Sequence, residues 1–221
     1  AGKRRETTLT LEELREVWEA AGTLTPSMAA AVRLLILTGA RRAEVAGMAI
    51  EDLGLAAGEW RLPAERTKTG TARTVHLPAQ AVAILREQTG ERTTGPALVG
   101  RESSPLHSDS LTTAVKRLQR QPGKRSKGGP LSALGKRKPF SVHDLRRSAA
   151  TCWGESLGAA PHVIDAALGH AARNAVTATY QRQQYAQEQR ELMRRWDALV
   201  SDHVAAAPGE TVTPFRRNQP A

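Results

Sequence analysis

From residue 10 to about residue 200 this chain sets out one capped, apolar-striped helical segment after another, and strand alternation interrupts them once. The first segment opens at TLEE, where Thr10 as N-cap and Glu13 at the third helical position form a capping box. Leu11, Leu14, Val17 and Trp18 follow on one stripe, and Gly22 closes it. Thr25 and Pro26 start a second segment that runs through SMAAAVRLLIL to Thr38 and Gly39, and a short helix follows at RAEVAGM. The interruption is EWRLPAERTKTGTARTVHLP. It reads as two strands joined by a turn at Thr69 and Gly70, with Trp60, Leu62, Val75 and Leu77 facing inward. Helical spacing returns at PAQAVAILREQ and SDSLTTAVKRLQR. The stretch QPGKRSKGGPLSALGKRK, glycine-rich, cationic and without an acidic residue, reads as a mobile loop. Ser141 then caps a helix through VHDLRRSAATCWGESLG, Pro161 starts another that stops at Gly169, and a long last helix carries TATYQRQQYAQEQRELMRRWDALV. The pattern predicts an α+β chain, mostly helical, with one small antiparallel β-hairpin, ending in a loose, aperiodic tail.

Charge narrows the partners. Thirty-two Lys and Arg stand against 22 Asp and Glu, a formal net charge of +10, the balance of a chain that meets a polyanion. Charge alone fits DNA, RNA or an acidic membrane surface. The single cysteine, Cys152, excludes an internal disulfide and multi-cysteine zinc or iron–sulfur sites, in keeping with a reducing compartment. AGKRRETT is polar and the apolar run AAAVRLLIL is broken by Arg33, so neither a signal peptide nor a membrane span is read here, and a cytoplasmic location is expected.

The two tyrosines of the chain, Tyr180 and Tyr185, both lie in LGHAARNAVTATYQRQQY, a concentration that points to chemistry rather than packing. In HDLRR, His143 and Arg146 are three apart near a helix start, hence on one face beside backbone N–H groups that favour an anion. In TGARRAEV, Arg41 begins a helix just after Gly39 ends one. Lys68 sits at the hairpin tip and His170 follows a helix-ending glycine. Each has a plain alternative when taken alone: a solvated basic face, surface arginines in a turn, a solubilising lysine, an exposed histidine. Together they suit a phosphodiester under attack. Two arginines hold its non-bridging oxygens with paired N–H donors, histidines and a lysine move protons, and a phenol attacks once cations and a base help its proton leave. A two-metal mechanism would want converging carboxylates, and Asp144 and Asp165 show no recognisable ligand spacing. GKRSKGG lacks the Ser or Thr and the preceding strand of a phosphate-binding loop, so no cofactor and no metal is implied.

The ordered set TGARRAEV, RTKTGTARTVHLP, HDLRRSAAT, and LGH followed ten residues later by Tyr180 resembles the tyrosine recombinase, or phage integrase, family. The wording of HDLRR and of YQRQQYAQEQRELMRRW is most similar to integrases of prophages and genomic islands. The resemblance spans about residues 8 to 200 and implies a helical catalytic fold with a hairpin or three-stranded sheet. It divides the chain into a linker remnant (1–7), a catalytic domain (8–203) and a flexible tail (204–221). It implies Arg41 and Arg146 as the phosphate clamp, Lys68 as general acid to the 5′-oxygen, and His143 and His170 in support of proton transfer and phosphate. Tyr180 is implied as nucleophile and Glu44 as a carboxylate that is structural or orients its neighbours; five residues apart on one helix, the two tyrosines point about 140° from each other, which leaves Tyr185 as a packing residue beside Trp196. The interval from His170 to Tyr180 is ten residues, where nine is common, and members usually carry an N-terminal DNA-clamping domain, so the chain is expected to be a fragment. The expected partners are double-stranded DNA attachment sites, three further copies in a synaptic homotetramer formed from free monomers, and an accessory DNA-bending protein. The nucleoid is the expected location. The segment 121–138 is expected to order on DNA or on a neighbouring subunit. Two other readings stay open: relaxation of supercoils by the same chemistry, as in type IB topoisomerases, and a non-catalytic DNA-binding module.

Overall fold

The computed structural model describes residues 7–68, 70–100, 103–124, 126–170 and 178–204, with side chains of the last segment described from residue 185 onward. Helix α1 (Leu11–Ala21) starts as its capping box dictates: Glu13 N–H donates to Thr10 Oγ1 at 3.2 Å, and Thr10 N–H donates to Glu13 Oε2 at 2.9 Å. Helix α2 (Pro26–Thr38) ends on Gly39, whose φ of +59° is the left-handed conformation that lets the chain turn sharply away. Helix α3 (Arg42–Ala46) follows at once. Almost every side of α2 is apolar, and such a helix must be surrounded.

It is surrounded by the rest of the chain: α1 and α3, then α4 (Ala79–Thr89), α5 (Ser108–Leu118), α7 (Val142–Glu155) and α9 (Ala178–His203). Two shorter helices, α6 (Ser132–Arg137) and α8 (Pro161–Leu168), complete the described set. Trp196 of α9 meets Trp153 of α7 edge to face at 6.3 Å and donates its indole N–H to the Ile36 carbonyl at 3.3 Å, fastening the last helix to the central one. Truncating either buried ring to alanine would cost about 3–5 kcal/mol.

Three short strands, β1 (Leu53–Gly54), β2 (Glu59–Leu62) and β3 (Arg73–His76), form an antiparallel sheet in that order. The register sets Trp60 opposite Val75 and Leu62 opposite Arg73, so Arg73 shares the inward face with the residues the alternation marks as core. Trp60, Leu62, Val75 and Leu77 are all buried.

Three expectations change. A connection of 63–72, longer than the two-residue turn expected at Thr69 and Gly70, joins β2 to β3: Pro63 has no N–H for the ladder and follows the last residue of β2. Thr67 then organises the return by accepting from the Thr71 N–H at 3.0 Å. Thr69 itself lies outside the described residues. The segment 121–138 is not a plain loop, because Leu131 and Leu134 are buried and α6 forms around them. Gly129 N–H donates to the Arg120 carbonyl and Leu131 N–H to that of Leu118, both at 2.8 Å, so the segment is laced to the end of α5. Tyr185 does not pack beside Trp196; eleven residues of helix separate the two by about 16 Å, and the Tyr185 ring lies 5.2 Å from that of His162. Of the segments expected at the two ends, Thr7 and Val204 are buried, and the expectations for 1–6 and 205–221 fall outside the described residues. Among the described residues no helix is long and apolar enough to cross a membrane.

Candidate active site

Two helix ends meet at one guanidinium. Arg146 projects from the second turn of α7 into the interior, where Nη1 donates to the Gly39 carbonyl at the end of α2 and Nη2 to the Leu168 carbonyl at the end of α8, each at 2.8 Å. Both helices finish in a left-handed glycine, Gly39 and Gly169, and both present the negative end of a helix dipole to the cation. Side chains would not fit there. A Cβ on Gly39 would stand 2.8 Å from Trp153 Cη2, and one on Gly169 would stand 2.5 Å from Arg73 Cδ and Nε.

Arg146 is only 4% exposed, and its pKa is lowered to about 10 by burial first and by the neighbouring Arg41 and Arg73 charges second. Its contacts to described residues engage at most three of its five N–H donors, which leaves capacity for an oxyanion.

Glu44 organises the remaining charge. This buried carboxylate accepts the Arg41 N–H at 2.8 Å and Arg41 Nη1 at 2.9 Å, a capping interaction that orients the arginine at the start of α3. It also accepts Arg73 Nη2 at 2.9 Å. Burial pushes its pKa up, but Arg73 and the hydrogen bonds from Arg41 outweigh burial and hold it below the ordinary glutamate value. Three guanidiniums thus share a pocket with one carboxylate, and the excess positive charge favours an anionic guest.

His170 follows Gly169. Its Nε2 lies 3.3 Å from Arg146 Nη2 and its Nδ1 2.8 Å from Asp165 Oδ1. With the proton on Nδ1 and donated to Asp165, Nε2 is an acceptor facing the arginines, the tautomer needed to receive a proton.

The structure therefore brings Arg41, Arg146 and His170 together. His143 sits one turn before Arg146 on the exposed side of α7, and Lys68 is exposed on the connection between β2 and β3. Tyr180 belongs to the first turn of α9, and its side chain lies outside the described residues. Two participants were not read from the sequence. Arg73 had a signal, a cation in register with inward-facing Val75, which requires an anion partner on the buried side. Asp165 is five residues before His170, a relation that becomes visible only when the α8 cap folds the chain back.

With this geometry in place, comparisons with known proteins fall on one family. The model of the phage integrase family matches residues 7–187. Prophage integrase IntA of Escherichia coli (strain K12) is 32% identical over 169 residues, which cover 75% of this chain and 37% of that protein's length. The fold is similar to that of the lambda integrase catalytic core, with a TM-score of 0.55 at 20% identity over 74% of this chain and 95% of that one. It is also similar to a lambda integrase (75–356) dimer bound to a COC′ core site, at 0.58 and 20% over 78% and 60% of the two chains. XerA recombinase gives 0.58 at 18% over 85% and 65%. The chain spans little more than a third of the curated relative it matches, but the family model covers most of its own length. This chain belongs to the phage integrase family.

Proposed function

We propose that the chain carries the strand-cleaving and rejoining site of a site-specific DNA recombinase acting on double-stranded attachment sites. The observation that carries this reading is the Arg146 guanidinium buried between two helix ends with Arg41 and His170 beside it. Arg41 and Arg146 hold the non-bridging oxygens of one phosphodiester and stabilise the charge that builds there as it is attacked. Tyr180 oxygen forms a bond to phosphorus while the bond from phosphorus to the 5′-oxygen breaks. His170 Nε2 receives the phenol proton, Lys68 gives a proton to the departing 5′-oxygen, and His143 supports the phosphate. The product is a 3′-phosphotyrosyl ester and a free 5′-hydroxyl. Attack by another 5′-hydroxyl reverses the step on a new partner strand with no net loss of phosphodiester bonds.

The relatives suggest the assembly: one lambda integrase structure is a tetramer bound to a Holliday junction, and a XerH recombinase is bound to its difH substrate in a pre-cleavage complex. The proposal extends to a synaptic homotetramer built from free monomers in the cytoplasm, aided by a DNA-bending protein.

The test is incubation with a pool of duplexes nicked near a randomised core, where the short cleaved strand diffuses away and traps the protein on DNA. The wild-type chain is expected to form a covalent adduct that maps to Tyr180, and Tyr180→Phe to form none while binding DNA as before. Salt-sensitive binding with no adduct from the wild type would leave a non-catalytic DNA binder. Sequence-indifferent relaxation of supercoiled plasmid would instead indicate a topoisomerase.

A further inference from the structure

Arg73 lies at a crossing point that the proposed chemistry does not itself require. From the first residue of β3 its Nη2 donates to Glu44 Oε2 at 2.9 Å and its Nη1 to the Ala167 carbonyl at 3.0 Å. One planar fork therefore spans two places. The first is the carboxylate that holds Arg41; the second is the last turn of α8, one carbonyl before the one gripped by Arg146 and three residues before His170. The fit is close, since the stem of Arg73 occupies the space that any side chain on residue 169 would need. Arg73 Nε is buried with no hydrogen-bond partner among the described residues, an unusual state for a guanidinium kept only as a surface tie. The same residue closes the sheet opposite Leu62, at the foot of the connection that bears Lys68. Two parts of the site thus meet one side chain, Arg41 through Glu44 and His170 through the end of α8.

We propose that Arg73 is a positioning residue for strand cleavage, fixing Arg41 through Glu44 and the His170-bearing end of α8 through the Ala167 carbonyl. The proposal rests on the recombinase reading of this pocket. Arg73 touches no reacting atom in it; its removal acts on the rate with little effect on DNA affinity, because the clamp is still charged but no longer aimed. Lysine is a poor substitute, since an ammonium has no fork to reach Glu44 and Ala167 together.

Single-turnover adduct formation on the nicked duplex pool, DNA affinity on the same pool, and thermal unfolding are measured for wild type, Arg73→Met, Arg73→Lys, Glu44→Gln and the Arg73→Met/Glu44→Gln pair. Arg73→Met is expected to slow adduct formation by about 100-fold with affinity within about threefold. Arg73→Lys should recover about threefold at most. The double variant should be little slower than the slower single one, because both act through one contact. A merely structural tie gives additive losses that follow the unfolding midpoint and vanish on cooling. That outcome, or a wild-type rate in either Arg73 variant, overturns the proposal. Should Arg73→Met fail to fold, the charge-preserving lysine variant decides by the same criterion. A wild type that forms no adduct brings down the cleavage reading and this one with it, whereas a cleaving wild type matched by its Arg73 variants removes only this one.

Discussion

The candidate site has an inner and an outer half, and they are built differently. In the inner half, Arg41, Arg73 and Arg146 are tied to Glu44 and to carbonyls at the ends of α2 and α8, each by hydrogen bonds of 3.0 Å or less. In the outer half, Lys68 and His143 stand exposed on a connection between strands and on the outer side of α7. On the proposed reading, the contrast divides labour. A phosphate clamp gains most from being aimed before the ligand arrives, since preorganised donors need no rearrangement during the reaction. A general acid must follow a leaving oxygen, and a flexible lysine suits that better than a buried one.

After loss of the proposed nucleophile itself, Arg146→Met should produce the largest effect. Loss of a clamp donor in a buried site predicts about a 10³-fold slower cleavage. Stability should change far less than burial suggests. The fall of Arg146 to about 10 corresponds to about 3 kcal/mol working against its charge. The two carbonyls it would abandon cost roughly 1–3 kcal/mol each. These oppose one another, so chemical denaturation should show a net loss no larger than about 3 kcal/mol. A variant that no longer folds would mean that the guanidinium is a keystone of the fold rather than a charge the fold tolerates for function.

Lys68→Met probes the outer half. Cleavage should fall about 100-fold, and a substrate whose 5′-oxygen is replaced by sulfur should recover most of that loss, because a thiolate leaves without a proton. Unfolding should move by no more than about 0.5 kcal/mol. If the sulfur substrate rescues nothing, Lys68 serves affinity and not acid catalysis, and the two halves differ in place but not in task.

What could be read in the sequence follows the same division between local and distant causes. Thr10 with Glu13, Pro26 with Gly39, and Pro161 with Gly169 bound their helices through chemistry confined to one turn, and each boundary is visible in a few letters. Helix α6 is not, because six residues are too few for periodicity to show, and its two buried leucines are held by the end of α5 and not by their own neighbours. The depth of Arg146 is equally hidden: one of its carbonyl partners is 107 positions away and the other 22. HDLRR announces a cation on a helix face, but only the meeting of α2 and α8 buries it. The distance from Tyr185 to Trp196, by contrast, follows from helix rise alone over eleven residues and is legible in the sequence.

Gly39→Ala asks whether the inner half depends on its backbone as much as on its charges. Alanine at φ +59°, with a Cβ 2.8 Å from Trp153 Cη2, should cost about 2 kcal/mol, roughly a 30-fold shift in the folding equilibrium, read by thermal unfolding. Cleavage at low temperature should fall as well, since the displaced carbonyl is an Arg146 partner.

Tyr185→Phe should have the smallest effect of all, and for that reason it sharpens the division most. Tyr180 and Tyr185 are five residues apart on α9, and helix positions five apart lie about 140° from each other around the axis, too far round to serve one phosphate. The Tyr185 ring leans on His162, outside both halves of the site, and phenylalanine keeps that ring in place. Adduct formation within about twofold of wild type, beside none at all for Tyr180→Phe, assigns the nucleophile to the first turn of α9. A comparable loss in both variants would shift the reacting phenol toward the start of α8 and require the outer half to be redrawn around His162.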